Sequence, residues 1–222
     1  MIQKVQQYTT LDSFASRPRK KTGYVSYRYH QIRESERKEA IRSVIGATVG
    51  AAIPLLMFAK KQNINPFKLK YGIKELIGVS SGAIVGGTLA GMLGENKQDN
   101  IQKAKEGVFQ FMNASIPPLL VAGLIKLTEK TKALNNMAGR VGAILTGLAA
   151  GMFAAVKLSN FVCDPKDKEP DRKLTMLDSL ANIDDALGVL ALTNNPLVNK
   201  LPISQALPFI YVLCGYRAGS SN

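Results

Sequence analysis

The sequence predicts an all-α membrane protein: a polytopic helix bundle built from two tandem helical hairpins, followed by an amphipathic helix and a short C-terminal span. Three observations support this fold class. Four long segments contain no charged residue, basic residues flank those segments, and one glycine-rich motif occurs twice. The mean hydropathy of +0.01 conceals this pattern, because the charged residues lie between the uncharged segments and not along them.

The composition of the 222-residue chain excludes several classes of protein. With 46% hydrophobic and 20% charged residues, it is neither wholly disordered nor collagen-like. Its 2 cysteines and 1 histidine argue against a disulfide scaffold, a multi-cysteine zinc cluster and a Ser-His-Asp triad. The formal net charge of +13 predicts an anionic partner surface, which lipid and nucleic acid would satisfy equally well.

The uncharged segments are each 16 to 19 residues long and occupy Ser43–Ala59, Leu76–Gly94, Gly107–Ile125 and Val141–Val156. A helix that crosses a bilayer needs about 20 apolar residues, with a range of about 17–25. A residue or two at either end supplies the difference, and flanking Lys and Arg side chains can reach the membrane interface. A surface helix of a soluble protein would carry charge on one face. Buried helices of a soluble bundle remain the alternative, since the segments are rich in Gly and Ala.

The four segments pair into two hairpins, over residues 43–94 and 107–159. Gly82–Met92 and Gly142–Met152 are identical at seven of eleven positions, and each copy follows a helix that contains proline. Order and spacing together indicate an internal duplication. Two spans per unit return the chain to the same side, so the repeats are expected to be parallel, related by an axis along the membrane normal.

Glycines in these helices recur at four-residue spacing, which places them on one stripe of a helix. Such a stripe allows a neighbouring backbone to approach closely, which is the usual packing device between membrane helices. A pore lined by small residues is the alternative. The residues assigned to helix packing are Gly46, Gly50, Gly78, Gly82, Gly86, Gly87, Gly91, Gly142, Gly147 and Gly151.

The chain after the second hairpin has a different character. Lys157–Arg172 is polar, mixed in charge and contains two prolines, as is typical of a loop. Residues 174–193 show the pattern of an amphipathic helix that begins with a capping box of Thr175 and Asp178. Its polar face, with Asp178, is expected to meet water. Residues 201–217 are nearly uncharged and predict a fifth, short or re-entrant, membrane segment.

Residues 1–42 predict a basic, partly disordered N-terminal tail, with a helix starting near Ser35 and running into the first span. This tail together with Glu95–Glu106 and Lys157–Arg172 holds 17 Lys and Arg residues, against 9 in the other two loops. The positive-inside rule then places the N-terminus of a multi-pass protein in the cytoplasm, with the cell membrane as the location. A mitochondrial membrane is the alternative, because the tail is rich in arginine and poor in acids.

A basic cluster in the tail consists of Arg17, Arg19, Lys20 and Lys21, with tyrosines following. Beside a membrane domain, this cluster predicts adsorption to anionic lipid headgroups. Nucleic-acid binding with stacked tyrosines is the less favoured interpretation. Membrane lipids are therefore the expected partner, and assembly into a homo-oligomer stays open.

Two groups of polar residues are candidates for a polar or ion site. Asp184 and Asp185, with Asn182 nearby, would be functional by default if their helix lay inside the membrane. Asn113 and Ser115 precede a Pro-Pro pair in mid-span, and proline frees backbone carbonyls that can line a polar site. No catalytic motif is present in the sequence, so we expect no enzymatic activity, no metal site and no cofactor.

The function these features favour is passage of a small solute or ion at the interface between the repeats. The first alternative is a structural or scaffold membrane protein whose basic tail recruits an anionic lipid face or an acidic protein. The second is a soluble helical protein that binds partners through its glycine-rich helices. A polar cavity at mid-depth would favour passage, whereas a dry and fully packed interior would favour a scaffold.

Overall fold

The computed structural model describes residues 22–176, 178–179 and 203–221, which form five α-helices and contain no strand. The predicted all-α class is confirmed. The chain divides into two units, Met1–Ser35 and Glu36–Asn222, and the second holds the helix bundle. The helices are α1 (Thr22–Gln62), α2 (Ile73–Met92), α3 (Lys97–Lys130), α4 (Met137–Cys163) and α5 (Ile203–Gly219).

Four helices, α1 to α4, are long and apolar enough to cross a membrane. Their candidate spans are Glu34–Gln62, Ile73–Met92, Lys97–Lys130 and Met137–Cys163. The uncharged segments therefore lie in helices of sufficient length and apolarity, as predicted, and their crossing of a membrane stays a prediction. Helix α5 corresponds to the predicted C-terminal segment at 201–217 and has only 17 residues. Whether it spans stays a prediction.

Helix α1 starts upstream of the point that the charge pattern indicated. It begins at Thr22, whereas the sequence predicted a start near Ser35, so residues 22–34 add to the predicted helix. The predicted part, Ser35–Arg42, contains Glu, Arg, Lys and Ala, which are strong helix formers. The basic cluster Arg17–Lys21 lies outside the described residues.

Asparagine side chains cap the N-termini of two of the candidate spanning helices. Asn96 accepts hydrogen bonds from the backbone N–H groups of Gln98 and Asp99, both at 2.9 Å. Asn136 accepts one from the N–H of Gly139 at 2.8 Å. These bonds satisfy N–H groups that have no partner within the first turn of a helix. The short connections then force α3 and α4 to run antiparallel.

Helix α2 lies at the centre of the bundle because it has two faces of glycine. On one face a Cβ atom at Gly82 or Gly86 would collide with the backbone of Gly50 or Gly46 in α1. On the other face Gly87 and Gly91 meet the backbone of two glycines in α5, Gly215 and Gly219. Backbones this close gain dispersion contacts along their length.

The second hairpin packs through glycine against a different kind of neighbour. Gly147 and Gly151 of α4 lie against Val121 and Pro117 of α3. Gly142, which the sequence assigned to packing, has no atom within 4 Å of an added Cβ. The reason is that it lies on the exposed side of α4.

The repeated motif does not have equivalent contacts in the two hairpins. Gly87 and Gly91 pair in the duplication with Gly147 and Gly151, yet the first two contact α5 and the last two contact the preceding helix of their own hairpin. Both hairpins do place a glycine of the second helix against a proline of the first, Gly82 on Pro54 in one case. The tandem repeat therefore stays a prediction.

Large apolar side chains cover the outside of the helices. Leu89 is 59% exposed, Leu145 63%, Phe153 66% and Phe209 70%. Much of the interior consists of small residues and of polar side chains such as Ser80, Gln110 and Asn113. Water does not favour an exposed apolar surface of this extent, so the distribution suits a lipid environment.

Candidate functional site

A row of four polar side chains, three of them buried, runs along one face of α3. It consists of Lys103, Glu106, Gln110 and Asn113, which are three or four residues apart and therefore lie above one another on the helix. Lys103, Gln110 and Asn113 are at most 2% exposed. Polar and ionisable side chains inside a membrane bundle are costly and mark candidate functional sites. We call this row the α3 polar row.

Arg172, from the segment that follows α4, closes the row near its first turns. Its guanidinium donates two hydrogen bonds to the carboxylate of Glu106, both at 2.8 Å. A further bond of 2.8 Å reaches Asp178. The Cζ atom also lies 3.3 Å from the centre of the Phe109 ring, where the face of the ring attracts the cation. Arg172 is thus fixed by two carboxylates and one aromatic ring.

Asp178 is the most enclosed acid of this cluster. Its side chain is 0% exposed and lies 2.7 Å from the guanidinium of Arg217 in α5. Burial alone raises the pKa of Asp178, but hydrogen bonds from Arg172 and Thr175 outweigh it and hold the pKa at about 2. The carboxylate therefore stays ionised and links α5 to the segment after α4.

The predicted capping box is present, but the predicted surroundings of Asp178 are wrong. The Asp178 carboxylate accepts from the Thr175 backbone N–H at 2.7 Å, and the Thr175 hydroxyl accepts from the Asp178 N–H at 3.3 Å. The sequence placed Asp178 on a face toward water, whereas it is buried against two arginines. Periodicity reports which residues share a face and does not report what covers that face.

Two groups at the same end attach α1 and the C-terminus to α3. The ammonium of Lys103 lies 2.7 Å from the carboxylate of Glu39 in α1, with both side chains nearly inaccessible. The same ammonium donates to the carbonyl of Ser221 at 3.1 Å. Nearer the surface, Arg42 pairs with Glu95 at 2.8 Å. We call residues 36–42, 93–106, 159–179 and 217–221 the ion-pair end of the bundle.

Asn113 and Ser115 lie where the sequence predicted, near the middle of α3. The amide of Asn113 donates to the backbone carbonyl of Asp178 at 3.4 Å, so the segment after α4 reaches this depth. The hydroxyl of Ser115 is buried and has no hydrogen-bond partner. Pro117 and Pro118 have no N–H to donate to the carbonyls of residues 113 and 114. Acceptor groups are thus concentrated at mid-helix.

A cavity of about 310 Å³ opens at the ion-pair end, between α3, α4 and the segment after α4. Glu106, Phe109 and Arg172 form part of its lining, together with Asn160 and Ser221. Lys105 and Glu169 also line it and pair with each other at 2.6 Å. The lining includes the residues that close the α3 polar row, so the cavity adjoins that row at its outer end.

The other candidates of the sequence analysis are not tested. Asn182, Asp184 and Asp185 lie outside the described residues, as do Arg17, Arg19, Lys20 and Lys21. Among the described residues, no group of three or more His, Cys, Asp or Glu side chains is arranged to hold a metal ion.

Glu106, Arg172 and Arg217 are not among the site residues predicted from the sequence. The spacing of Glu106, Gln110 and Asn113 was a usable signal, since three polar residues share a face at the start of an uncharged run. No local signal connects Arg172 or Arg217 with that face, because the contacts of Arg172 with Glu106 and of Arg217 with Asp178 join distant parts of the chain.

Comparison with known protein families, with curated proteins and with solved structures finds no match to this chain. The function must therefore be argued from the site itself.

Proposed function

We propose that the protein is a multi-pass integral membrane protein, not an enzyme, that passes a small polar solute or ion. The observation that carries this proposal is the position of the cluster formed by Arg172, Glu106 and Asp178. Arg172 and Glu106 line the cavity that opens at the ion-pair end, and Glu106 also accepts a hydrogen bond from the buried Gln110 amide of the α3 polar row. The cavity and the α3 polar row would together form a path for a polar solute. The charged cluster would close that path.

The charged cluster is chemically suited to close the path reversibly. Each of its charges has a partner, so the bundle tolerates them inside, and Arg172 comes from a segment between helices. Moving that segment away would expose Gln110 and Asn113 to the cavity without breaking a spanning helix. The buried oxygen of Gln110 that has no hydrogen-bond partner is then available to a solute.

The proposal also covers the membrane in which the protein lies, its orientation there and the origin of its two hairpins. The excess of Lys and Arg on the side of the tail supports a cytoplasmic ion-pair end in the cell membrane, with a mitochondrial membrane as the alternative. The motif shared by α2 and α4 supports descent from a duplicated hairpin. The described cavity lies beside the second hairpin, so passage would run next to α3 and α4.

Osmotic shrinkage of proteoliposomes tests the proposal for several classes of solute in parallel. Vesicles that contain the full chain are mixed with hypertonic urea, glycerol or potassium chloride, and light scattering follows the return of volume. We expect at least one solute to enter faster than in protein-free vesicles. Glu106→Gln removes one charge that holds Arg172 and should raise that rate several-fold, because Asp178 still anchors the fold.

Lys166→Gln is the matched control, since this exposed lysine is at the same end but outside the cluster. It should leave the rate unchanged. If the wild type and Glu106→Gln both behave like protein-free vesicles, passage is rejected. The scaffold function, with the basic tail recruiting an anionic lipid face or an acidic protein, would then be the better account.

A further inference from the structure

The end of the bundle opposite the ion-pair end carries an unbalanced positive charge. Residues 60–75 and 126–140, which we call the lysine end, contain nine Lys and Arg residues and two Glu residues. Eight of the nine, all lysines, are exposed. Within the described part of the chain, ion pairs with carboxylates form only at the other end.

The first loop of this end, the lysine loop Lys60–Lys74, has a fixed conformation. The Gln62 side chain donates to the carbonyl of Lys70 at 3.0 Å and accepts from its N–H at 3.2 Å. The Asn65 side chain accepts from the N–H of Phe67 at 3.0 Å and starts a 3₁₀ turn over Pro66–Lys68. These hydrogen bonds therefore fix the conformation of the loop before any partner binds it.

The organised loop presents an aromatic ring outward among its lysines. Phe67 is 65% exposed, whereas Leu69 and Tyr71 are buried against the bundle. The turn thus directs one large apolar side chain away from the protein while the next two anchor the loop. In the second loop of the same end, Leu134 is 49% exposed and follows Lys130 and Lys132. Apolar and cationic groups therefore alternate on both loops.

We propose that the lysine loop binds anionic phospholipid headgroups, with Phe67 inserted among the acyl chains and the lysines on the phosphates. A phospholipid is the one partner that offers a negative surface with an apolar layer directly behind it. Phe is among the apolar residues with which interfacial segments enter the boundary between headgroups and acyl chains, and lysine stems follow apolar surface while the ammonium stays in the polar layer. This inference concerns the opposite end from the proposed path and does not depend on it.

Tryptophan fluorescence can test this directly because the chain contains no Trp. Phe67→Trp places a single probe at the loop tip of the full-length protein in vesicles of phosphatidylcholine and phosphatidylglycerol in equal amounts. Bromine atoms on the acyl chains of one lipid at a time quench the probe where that lipid is close. We expect brominated phosphatidylglycerol to quench more strongly, since one lysine near an anionic surface is worth about fivefold in lipid partition.

Two further variants separate this proposal from its alternatives. Val85→Trp puts the probe at an exposed position in the middle of the uncharged run of α2, away from the basic residues of either end, and the two brominated lipids should quench it equally. In the Phe67→Trp background, changing Lys60, Lys61, Lys68 and Lys70 to Gln should abolish the preference for phosphatidylglycerol.

Three results would overturn the proposal. One is equal quenching of the Phe67→Trp probe by both lipids, and another is a preference that survives removal of the lysines. The third is an emission spectrum typical of water that responds to an added oligonucleotide or acidic peptide but not to lipid bromine. This last result would assign the surface to a soluble polyanion.

Discussion

The two ends of this bundle handle their charges in opposite ways. At the ion-pair end, acids and bases from α1, α3, α5 and the segment after α4 meet within 2.7–2.8 Å, and several of them are buried. At the lysine end eight of the nine bases are exposed, and the described residues there form no ion pair. The first arrangement fixes helices relative to one another, whereas the second leaves the charge available to something outside the protein.

This difference teaches how charge can serve a membrane protein in two roles. Paired charges at a partly buried site hold one arrangement of the helices, because removing either partner leaves the other charge buried and unpaired. Unpaired charges at the membrane surface contribute little to folding and much to the choice of lipid. Substitutions at the two ends should therefore have very unequal effects on stability.

The largest effect is expected for Asp178→Asn, which leaves Arg172 and Arg217 facing a neutral side chain. Removing one partner of a buried ion pair costs about 3–5 kcal/mol of unfolding free energy. We expect about 3 kcal/mol, because both arginines keep some contact with solvent and Arg172 keeps Glu106. Denaturant unfolding in detergent, followed by circular dichroism, measures it. A loss below about 1 kcal/mol would show that the cluster does not fix the helices.

Low pH should destabilise the folded protein at the ion-pair end. The pKa of Asp178 is about 2 in the folded chain, against an ordinary 3.8. Because the pKa is lower in the folded chain, the ionised carboxylate stabilises the fold fully at pH values above its ordinary pKa. This stabilisation is lost as the pH falls toward the pKa of the folded state. Stability should therefore decrease between about pH 4 and pH 2, and that step should be smaller in Asp178→Asn. An identical acid profile in both proteins would contradict this assignment.

The charged cluster is the part of the structure that the sequence does not predict. Uncharged runs such as Leu76–Gly94 predicted the candidate spans because a helix without charge on any face has few alternatives to lipid. Thr175 and Asp178 predicted a cap because capping is a contact over three residues. Gly215 and Gly219 share the four-residue spacing of the other glycines and could have been found. The pairs formed by Glu106, Arg172, Asp178 and Arg217 could not, since no local pattern encodes contacts between separate elements.

A smaller effect is expected at the lysine end for Glu75→Ala. The Glu75 carboxylate accepts from the N–H of Gly72 at 3.0 Å and from the Gln62 amide at 3.4 Å. It therefore acts as a cap that also joins the lysine loop to α2, and its loss should cost about 1 kcal/mol. The same unfolding experiment measures this, with Glu129→Ala as the exposed control. A cost equal to that of Asp178→Asn would remove the contrast between the ends.

The smallest effect on stability is expected when Lys60, Lys61, Lys68 and Lys70 are changed to Gln together. Exposed charges without partners contribute little to folding, so the unfolding free energy in neutral detergent should change by less than about 0.5 kcal/mol. Thermal unfolding of the variant and the wild type in parallel provides the test. A marked destabilisation would mean that these lysines are bound within the protein.

The central claim is that the two ends lie on opposite sides of a membrane, and site-directed cysteine labelling tests it most directly. With Cys163 and Cys214 replaced, a single cysteine is placed at Lys166, at the ion-pair end, or at Ala133, at the lysine end. Cells are treated with a maleimide that cannot cross membranes, before and after permeabilisation. We predict that one position reacts in intact cells and the other reacts only after permeabilisation. Reaction of both positions from the same side, or release of the protein by alkaline carbonate, would contradict the account.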